Sequence, residues 1–325
     1  MSNRYLAGFV QAGLFNPLIA PTPTYFYNLY SWGYNAQGQL GLGNRTNYSS
    51  PKQVGFLTTW SNITAGFYHT IATKTDGTLW SWGYNPYGQL GLGNITNYSS
   101  PKQVGSLTTW LNITAGYGHT VATKTDGTLW SWGSNGVGEL GLGNITYYSS
   151  PKQVGSLTTW SNITAGPYCT IATKTDGSLW AWGQNNLGQL GLGNITNYSS
   201  PKQVGSLTTW SNITAGFYHT IATKTDGTLW SWGYNAQGQL GLGNITYYSS
   251  PKQVGFLTTW SNITAGSYHT VATKTDGSLW AWGYNAQGQL GLGNITRYSS
   301  PKQVGSLTTW LNITAGSYHT IAIKS

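Results

Sequence analysis

The chain has 325 residues, of which 6% are charged and 14% are aromatic, and its formal net charge is +9. Because disordered chains are poor in aromatic residues, 17 Trp and 23 Tyr exclude disorder, and the scarcity of charge excludes a charged helical array. Cys169 is the single cysteine, so an intrachain disulfide is excluded and packing must stabilise the fold.

Residues 1–28 precede the repetitive part of the chain and are predicted to form an extended attachment arm. The segment NPLIAPTPTYFYN is rich in proline, as in extended segments that dock on a partner. The opening MSNRYLAGFVQAGLF is a poor signal peptide, because Gln11 and two glycines interrupt its apolar core. No uninterrupted apolar run is long enough to span a membrane. The candidate contacts of the arm are Tyr5, Phe9, Phe15 and Pro17.

Residues 29–325 repeat a unit of 50 residues six times without a gap. A fixed period of about this length indicates a propeller or a solenoid, in which each unit buries its faces against its neighbours. A solenoid needs polar caps at its ends, whereas this chain begins and ends within a unit. One column of the repeat contains Trp32, Trp82, Trp132, Trp182, Trp232 and Trp282.

Each unit contains four strand patterns. In the copy at 62–105, NITAG is followed by the alternating segment HTIATKT, and a D-G turn then leads into TLWSWG. A long glycine-rich loop separates this third pattern from PKQVG, whose proline suits the outer edge of a sheet. Four antiparallel strands form one propeller blade, so the chain is predicted to be all-β.

The two ends of the repetitive part carry complementary halves of a unit. Residues 29–55 contain only the third and fourth strand patterns, and residues 312–324 contain only the first and second. We therefore predict a six-bladed β-propeller of four-stranded antiparallel blades, in which the N-terminal strands complete the last blade in a two-plus-two closure.

The repeat resembles that of the regulator of chromosome condensation family. The shared pattern is W-G-x-N-x-x-G-Q-L-G-x-G, then P-x-x-V, then A-G-x-x-H-T with a following D-G, and it covers residues 29–324. The resemblance implies a β-propeller, and it brings nucleotide exchange on a small GTPase or a chromatin-type scaffold into consideration. Two features differ from the best-known members, which have seven blades and far more divergent repeats.

The ionisable residues follow the repeat and indicate no catalytic or metal site. Histidine and cysteine are good zinc ligands, but equivalent positions on separate blades of a wide ring are too far apart to share an ion. We expect structural hydrogen bonds there, and no metal or cofactor. Apart from Glu139, every acidic residue lies in a D-G turn, so no acid pair remains and the protein is predicted not to be an enzyme. The histidine column contains His69, His119, His219, His269 and His319, with Cys169 in the remaining copy.

The basic residues are distributed evenly. Most lysines come two per copy, in PKQV and ATK, so they form no stripe that could follow a nucleic acid backbone. Sequence-specific recognition of nucleic acid is therefore not expected, whereas weak attraction to anionic glycans or lipopolysaccharide is compatible with this distribution.

The copies differ mainly in two loops that emerge on the same side of a blade. These loops join strands one to two and three to four, whereas the D-G turns on the opposite side hardly vary. Tyr, Ser, Asn and Gly dominate the differences, as they do in adaptable binding loops. We therefore predict a recognition face, with neutral drift of exposed loops as the alternative. The candidate contacts are Tyr34, Phe67, Tyr84, Tyr87, Tyr117, Tyr147, Phe217, Tyr234, Tyr247, Tyr284 and Arg297.

The opening MSNRYLAGF is similar to short starts of tailed-phage structural proteins. Together with near-identical repeats and low charge, it predicts a virion or extracellular location. The expected function is a non-catalytic propeller of a virion surface or tail. Its arm would contact other virion or surface proteins, and its loops a host glycan or receptor. A purely structural capsid or tail decoration protein is the nearest alternative, and nucleotide exchange is another.

Overall fold

The structure is a computed structural model, and it describes residues 28–56 and 59–325. All regular elements of these residues are β-strands. Within this described part, no helix has the length and apolar character needed to cross a membrane. The predicted attachment arm, including Tyr5, Phe9, Phe15 and Pro17, lies outside the described residues except for Asn28.

The strands follow the predicted order of half a blade, five complete blades and half a blade. The N-terminal half-blade has β1 (Tyr30–Gly33) and β2 (Tyr48–Gln53). Blade 1 has β3 (Trp60–Ala65), β4 (His69–Lys74), β5 (Leu79–Gly83) and β6 (Tyr98–Gln103). Blade 2 has β7 (Trp110–Ala115), β8 (His119–Lys124), β9 (Leu129–Gly133) and β10 (Tyr148–Gln153). Blade 3 has β11 (Trp160–Ala165), β12 (Cys169–Lys174), β13 (Leu179–Gly183) and β14 (Tyr198–Gln203).

The remaining strands continue this order. Blade 4 has β15 (Trp210–Ala215), β16 (His219–Lys224), β17 (Leu229–Gly233) and β18 (Tyr248–Gln253). Blade 5 has β19 (Trp260–Ala265), β20 (His269–Lys274), β21 (Leu279–Gly283) and β22 (Tyr298–Gln303). The C-terminal half-blade has β23 (Trp310–Ala315) and β24 (Thr320–Lys324).

Each complete blade is an antiparallel meander in which consecutive strands are neighbours. In blade 1, Thr70 of β4 lies opposite Trp82 of β5. The turn between these strands has the predicted chemistry, because Oδ1 of Asp76 accepts a hydrogen bond from the Thr78 backbone N–H at 2.9 Å and Gly77 has a φ of +75°. The D-G pair therefore fixes this turn.

The hydrophobic core lies between blades. Ile71, Leu79 and Val104 of blade 1 pack against a cluster that includes Trp110 and Trp132 of blade 2. Trp132 is fully buried, and its indole N–H donates to the Gln89 carbonyl oxygen at 2.9 Å. Equivalent clusters recur at the other junctions, so each blade stabilises the next.

The first strands of all six repeats surround one central cavity of about 300 Å³. Threonine, alanine and glycine line it, including Thr64, Ala65 and Gly66 and their equivalents. These small side chains allow the six inner strands to approach the axis closely. The prediction of an all-β, six-bladed propeller is confirmed.

The sixth blade has its four predicted strands, but they form two separate two-stranded sheets among the described residues, β1 with β2 and β23 with β24. Each hairpin is docked on its own neighbour. Leu29 of the N-terminal half packs in the cluster of Trp60 and Trp82, and the Thr320 hydroxyl donates to the Gln289 carbonyl oxygen of blade 5 at 2.8 Å. β1 and β24, the strands that a two-plus-two closure would pair, are therefore not hydrogen-bonded to each other, and this unpaired boundary is here called the seam.

Candidate functional site

The ring has two chemically different faces. One face, here the loop face, contains the connections 66–68 and 84–97 and their equivalents in other repeats. The opposite face, here the turn face, contains the D-G turns 75–78 and the inter-blade connections 104–109 and their equivalents. This arrangement follows from the antiparallel order, because alternate connections emerge on the same side.

The long connections of the loop face are held by a buried asparagine. Asn85 is fully buried, and its side-chain amide donates to the carbonyl oxygens of Asn94 and Thr96, both at 3.0 Å. Its Oδ1 accepts from the Leu90 backbone N–H at 2.9 Å. Three bonds from one side chain close the loop, so the variable positions are displayed on a fixed backbone.

The same connections also bind the neighbouring blade. Gly88 has a φ of +81°, and a side chain there would collide with the Ser149 backbone of blade 2. The Gly93 backbone N–H donates to the Ser149 carbonyl oxygen at 2.8 Å. Glycine is therefore required both by the backbone conformation and by the close approach of two blades.

The short connections of the loop face surround the mouth of the central cavity. The rim that they form has two sides, one of apolar residues and one of small polar residues. A ligand at the axis would meet both kinds of surface within one opening. The residues of this rim are Phe67, Tyr117, Pro167, Phe217, Ser267 and Ser317.

Aromatic rings extend outward from the rim in two clusters. In the first, Phe67 and Tyr117 are stacked with ring centroids 4.4 Å apart, and Tyr87 meets the Tyr147 ring edge-on at 5.8 Å. The members of the first cluster are Tyr34, Phe67, Tyr68, Tyr84, Tyr87, Tyr117, Tyr147 and Tyr168.

The second cluster occupies the other side of the rim. Phe217 and Tyr218 lie 4.5 Å apart, and Tyr234 and Tyr247 lie 4.8 Å apart. The members of the second cluster are Phe217, Tyr218, Tyr234, Tyr247, Tyr268, Tyr284 and Tyr318. The structure thus brings ten predicted contact residues, all except Arg297, into two aromatic surfaces.

These aromatic residues remain accessible. Tyr87, Tyr147 and Tyr247 expose 36%, 48% and 44% of their surface, and the other predicted aromatic contacts are half-buried. Asn97 and Asn197 occupy the same column of the repeat as Tyr147 and Tyr247, and each asparagine accepts a hydrogen bond from its own loop backbone. Tyrosine at this column is therefore not needed to close the loop.

Comparison among the copies missed one part of these surfaces. The missed residues belong to one column that hardly varies, so differences among the copies could not indicate them. They are Tyr68, Tyr168, Tyr218, Tyr268 and Tyr318, and all belong to the clusters. A tyrosine immediately before the second strand in five copies could have revealed them. The sixth copy has Gly118, and the Tyr87 ring covers the space that its missing side chain leaves.

Arg297 lies apart from the aromatic clusters. Its Nη1 donates to the Ala236 carbonyl oxygen at 3.1 Å and to Oε1 of Gln237 at 3.2 Å, in the loop of the preceding blade. Its guanidinium therefore links two neighbouring loops while remaining exposed.

The carboxylate of Glu139 is internal to the loop face. Ser134 Oγ donates to Oε1 at 2.8 Å, the Val137 backbone N–H donates to Oε2 at 2.9 Å, and Glu139 is only 1% exposed. This carboxylate replaces the glutamine of the other copies as the acceptor that orders the loop. The accessible part of the described loop face therefore presents rings, hydroxyls and amides rather than carboxylates.

The histidines form hydrogen bonds between blades, as predicted. Nε2 of His69 lies 3.2 Å from Oγ1 of Thr120, and Nε2 of His219 lies 3.2 Å from Oγ1 of Thr270. Burial, and after it the neighbouring His119, lowers the pKa of His69 to about 3. Burial raises the pKa of the Cys169 thiol to about 12. Within the described ranges, no group of three His, Cys, Asp or Glu residues could hold a metal ion.

Three solved structures share the fold of this chain. Human WBSCR16 is 22% identical, with a TM-score of 0.80, over 91% of this chain and 80% of that one. A chain in the structure of Kap60 bound to yeast RCC1 (Prp20) is 21% identical, with a TM-score of 0.79, over 97% and 83%. Prp20p of Saccharomyces cerevisiae, described with its binding to Gsp1p and histones, is 18% identical, with a TM-score of 0.65, over 93% and 92%.

The family of the chain is shown by its repeats. The model of the regulator of chromosome condensation (RCC1) repeat matches six successive segments, which together include most of the chain. The segments are residues 28–73, 76–123, 126–173, 176–223, 226–273 and 276–323. The chain therefore belongs to the regulator of chromosome condensation repeat family.

Proposed function

We propose that this protein is a non-catalytic binding propeller of a virion surface or tail, and that its loop face recognises a host-surface glycan or receptor. One observation carries the proposal. Two accessible aromatic clusters flank the mouth of the central cavity on a rigid, hydrogen-bonded scaffold. Rigid rings give a large contact area at a low cost in side-chain entropy.

The chemistry of the loop face favours a sugar over an acidic or basic protein surface. Tyrosine rings can stack on the C–H faces of a sugar, while their hydroxyls and the nearby amides supply hydrogen bonds. Arg45 and Arg297 are the loop-face cations among the described residues, and the Glu139 carboxylate is buried. Nucleotide exchange, considered from the family, finds no exposed acidic contact on this described face.

The virion location is supported by the sequence. The opening MSNRYLAGF resembles tailed-phage structural proteins, and near-identical repeats of low charge fit an extracellular particle. The purely structural alternative, a decoration protein, would use the same fold without a ligand on the loop face.

The test uses substitutions that the repeat itself contains. Phe67 and Phe217 align with Ser267 and Ser317, and Tyr147 and Tyr247 align with asparagines. A variant with Phe67→Ser, Phe217→Ser, Tyr147→Asn and Tyr247→Asn should keep its thermal stability. On an array of defined bacterial and eukaryotic glycans, we expect the unmodified protein to bind and the variant to lose at least about tenfold in affinity.

A turn-face variant, Phe56→Ser, is the matched control and should bind glycans like the unmodified protein, because Ser106 occupies the same column. The proposal fails if the unmodified protein binds no glycan and no intact cell, or if the four-residue variant binds as well as the unmodified protein. The first result would favour the decoration protein.

A further inference from the structure

The turn face carries a ring of exposed apolar side chains. Phe56 and Phe256 are each 96% exposed, and leucines in the same connections expose about half of their surface. All of these residues follow the fourth strand of a repeat, so they lie on one face of the ring. The tip residues are Phe56, Leu107, Leu157, Leu207, Phe256, Leu257 and Leu307.

A cleft beside these tips contains a cation and an unsatisfied donor. Between blades 1 and 2, a cleft of about 390 Å³ is lined by residues that include Leu107, Trp110, Lys124 and Trp130. Nζ of Lys124 lies 3.6 Å from the Trp130 ring centroid and 4.9 Å from that of Trp110. The ammonium group is thus held between two indoles beside an exposed leucine.

One indole N–H of this inter-blade cleft lacks an acceptor, whereas that of Trp130 donates to Oγ1 of Thr128 at 2.9 Å. Trp110 is only 5% exposed, so its indole N–H is shielded from water, and this N–H has no hydrogen-bond partner. Burial lowers the pKa of Lys124, while the Asp126 carboxylate raises it. Nζ of Lys124 supplies the positive charge of this cleft, so an anionic group that enters the cleft would be stabilised by it.

The side-chain contacts of this cleft recur around the ring. The same lysine-on-tryptophan contact occurs at 3.6 Å in all five complete blades, and the same indole N–H lacks a partner in each of them. A partner that meets all five contacts at once must offer the same chemistry around the whole axis. A lipid surface does so, whereas the asymmetric surface of one folded protein does not.

We propose that the turn face docks on an anionic lipid surface, with the tip residues inserted among the lipid headgroups and lipid phosphates bound in the inter-blade clefts. Exposed aromatic and aliphatic tips beside basic groups are typical of proteins that lie at a membrane interface. This docking is independent of ligand binding by the loop face.

The local charge determines how strong the anionic preference should be. Each lysine of a cleft is followed two residues later by a D-G turn aspartate, such as Asp126, whose carboxylate accepts hydrogen bonds from Thr128. These carboxylates offset the long-range attraction of the lysines. We therefore expect a preference of a few fold for anionic vesicles, with binding that depends mainly on the apolar tips.

The experiment is flotation of the full chain with vesicles of phosphatidylcholine, with and without phosphatidylglycerol. The unmodified protein should float with both and bind the anionic vesicles a few fold more tightly. The variant Phe56→Ser/Phe256→Ser should bind both vesicles about tenfold more weakly, because two fully exposed rings are lost from the interface. Serine occupies this column in the other copies, so folding is preserved.

Two further variants separate the contributions of the two faces. The loop-face control, Tyr147→Asn/Tyr247→Asn, should float like the unmodified protein. Lys124→Gln/Lys174→Gln/Lys224→Gln should weaken the preference for phosphatidylglycerol, because only the contacts of Lys74 and Lys274 remain, with its folding checked by thermal denaturation. If these lysine substitutions prevent folding, competition by inorganic phosphate replaces them and should remove the same preference.

Three results would overturn the docking. They are an absence of flotation with either vesicle, flotation that is unchanged in Phe56→Ser/Phe256→Ser, and equal binding to vesicles with and without phosphatidylglycerol. Release of the unmodified protein from both vesicles by inorganic phosphate would also contradict it, because the clefts would then bind free phosphate rather than hold the protein on lipid.

Discussion

The buried histidines tie the stability of the ring to pH. Burial is the largest cause that lowers the pKa of His69 and His219 to about 3 and of His119 and His269 to about 4. In the unfolded chain these side chains titrate near 6.5. Below that pH the unfolded state takes up protons that the folded state cannot bind, so acid favours unfolding.

We expect the free energy of unfolding to fall as pH decreases from about 6.5 towards 4, by up to about 1.4 kcal/mol per pH unit for each buried histidine. Denaturant titrations across this range would measure the slope. His219→Cys copies Cys169, which occupies the same column in another copy, and should reduce the slope by the contribution of one buried histidine. A pH-independent stability between 7 and 4 would contradict the burial of these rings.

At the level of the element, the glycine-rich loops depend on the approach of neighbouring blades. Gly91 has a φ of +72°, and a methyl group there would lie 2.7 Å from Nε1 of Trp132. Gly105 has a φ of +62° but nothing within 4 Å. The two residues share a left-handed backbone and differ only in their surroundings.

Gly91→Ala should therefore destabilise the protein by at least about 3 kcal/mol, because backbone strain adds to a collision with a buried indole. Gly105→Ala is the matched control and should cost only about 1 to 2 kcal/mol from its backbone conformation. Thermal denaturation would compare the two. Equal losses of stability in the two variants would show that packing between blades is not the reason why residue 91 is a glycine.

The sequence predicted these elements well because each strand has a local pattern. TLWSWG matches β5 closely, whereas PKQVG placed the fourth strand too late, because β6 begins at Tyr98, which pairs with Gly83 across a bulge. The aromatic clusters were only partly predicted, since membership depends on distances between blades. Tyr68 shows this, because its ring lies near Tyr84 and Phe67 although its column hardly varies.

At the level of the whole molecule, the repeat specifies how the seam should close. In blade 1, Ala72 lies opposite Trp80. The equivalent residues of the closing blade are Ala322, five repeats later than Ala72, and Tyr30, one repeat earlier than Trp80, so these two should lie opposite each other. The Trp32 indole would then donate to the Gln289 carbonyl oxygen, as Trp82 donates to that of Gln39. Thr320 already donates to this Gln289 oxygen, so one side of the closing blade is in place.

Closure also predicts the behaviour of one glycine. Gly291 has a φ of +69°, and a methyl group there would have only Val304 near it, whereas a methyl group at Gly241, its equivalent, would lie 2.7 Å from Nε1 of Trp282. If Trp32 closes against blade 5, Gly291→Ala should be as destabilising as Gly241→Ala, at about 3 kcal/mol or more. Thermal denaturation of both variants would measure this, and a cost near 1 kcal/mol at Gly291 alone would indicate a seam that stays open.

The loop face and the turn face both require a closed ring whose last blade is shared by the two chain ends. The most direct test is disulfide formation in the variant Tyr30→Cys/Ala322→Cys, whose side chains should be opposite each other on one face of the closing blade. Tyr30→Cys/Ile321→Cys is out of register by one residue and should not cross-link. We predict a rapid intrachain disulfide in the first variant, with a monomeric product and a raised melting temperature. An absence of cross-linking, or disulfides only between chains, would contradict the closed ring.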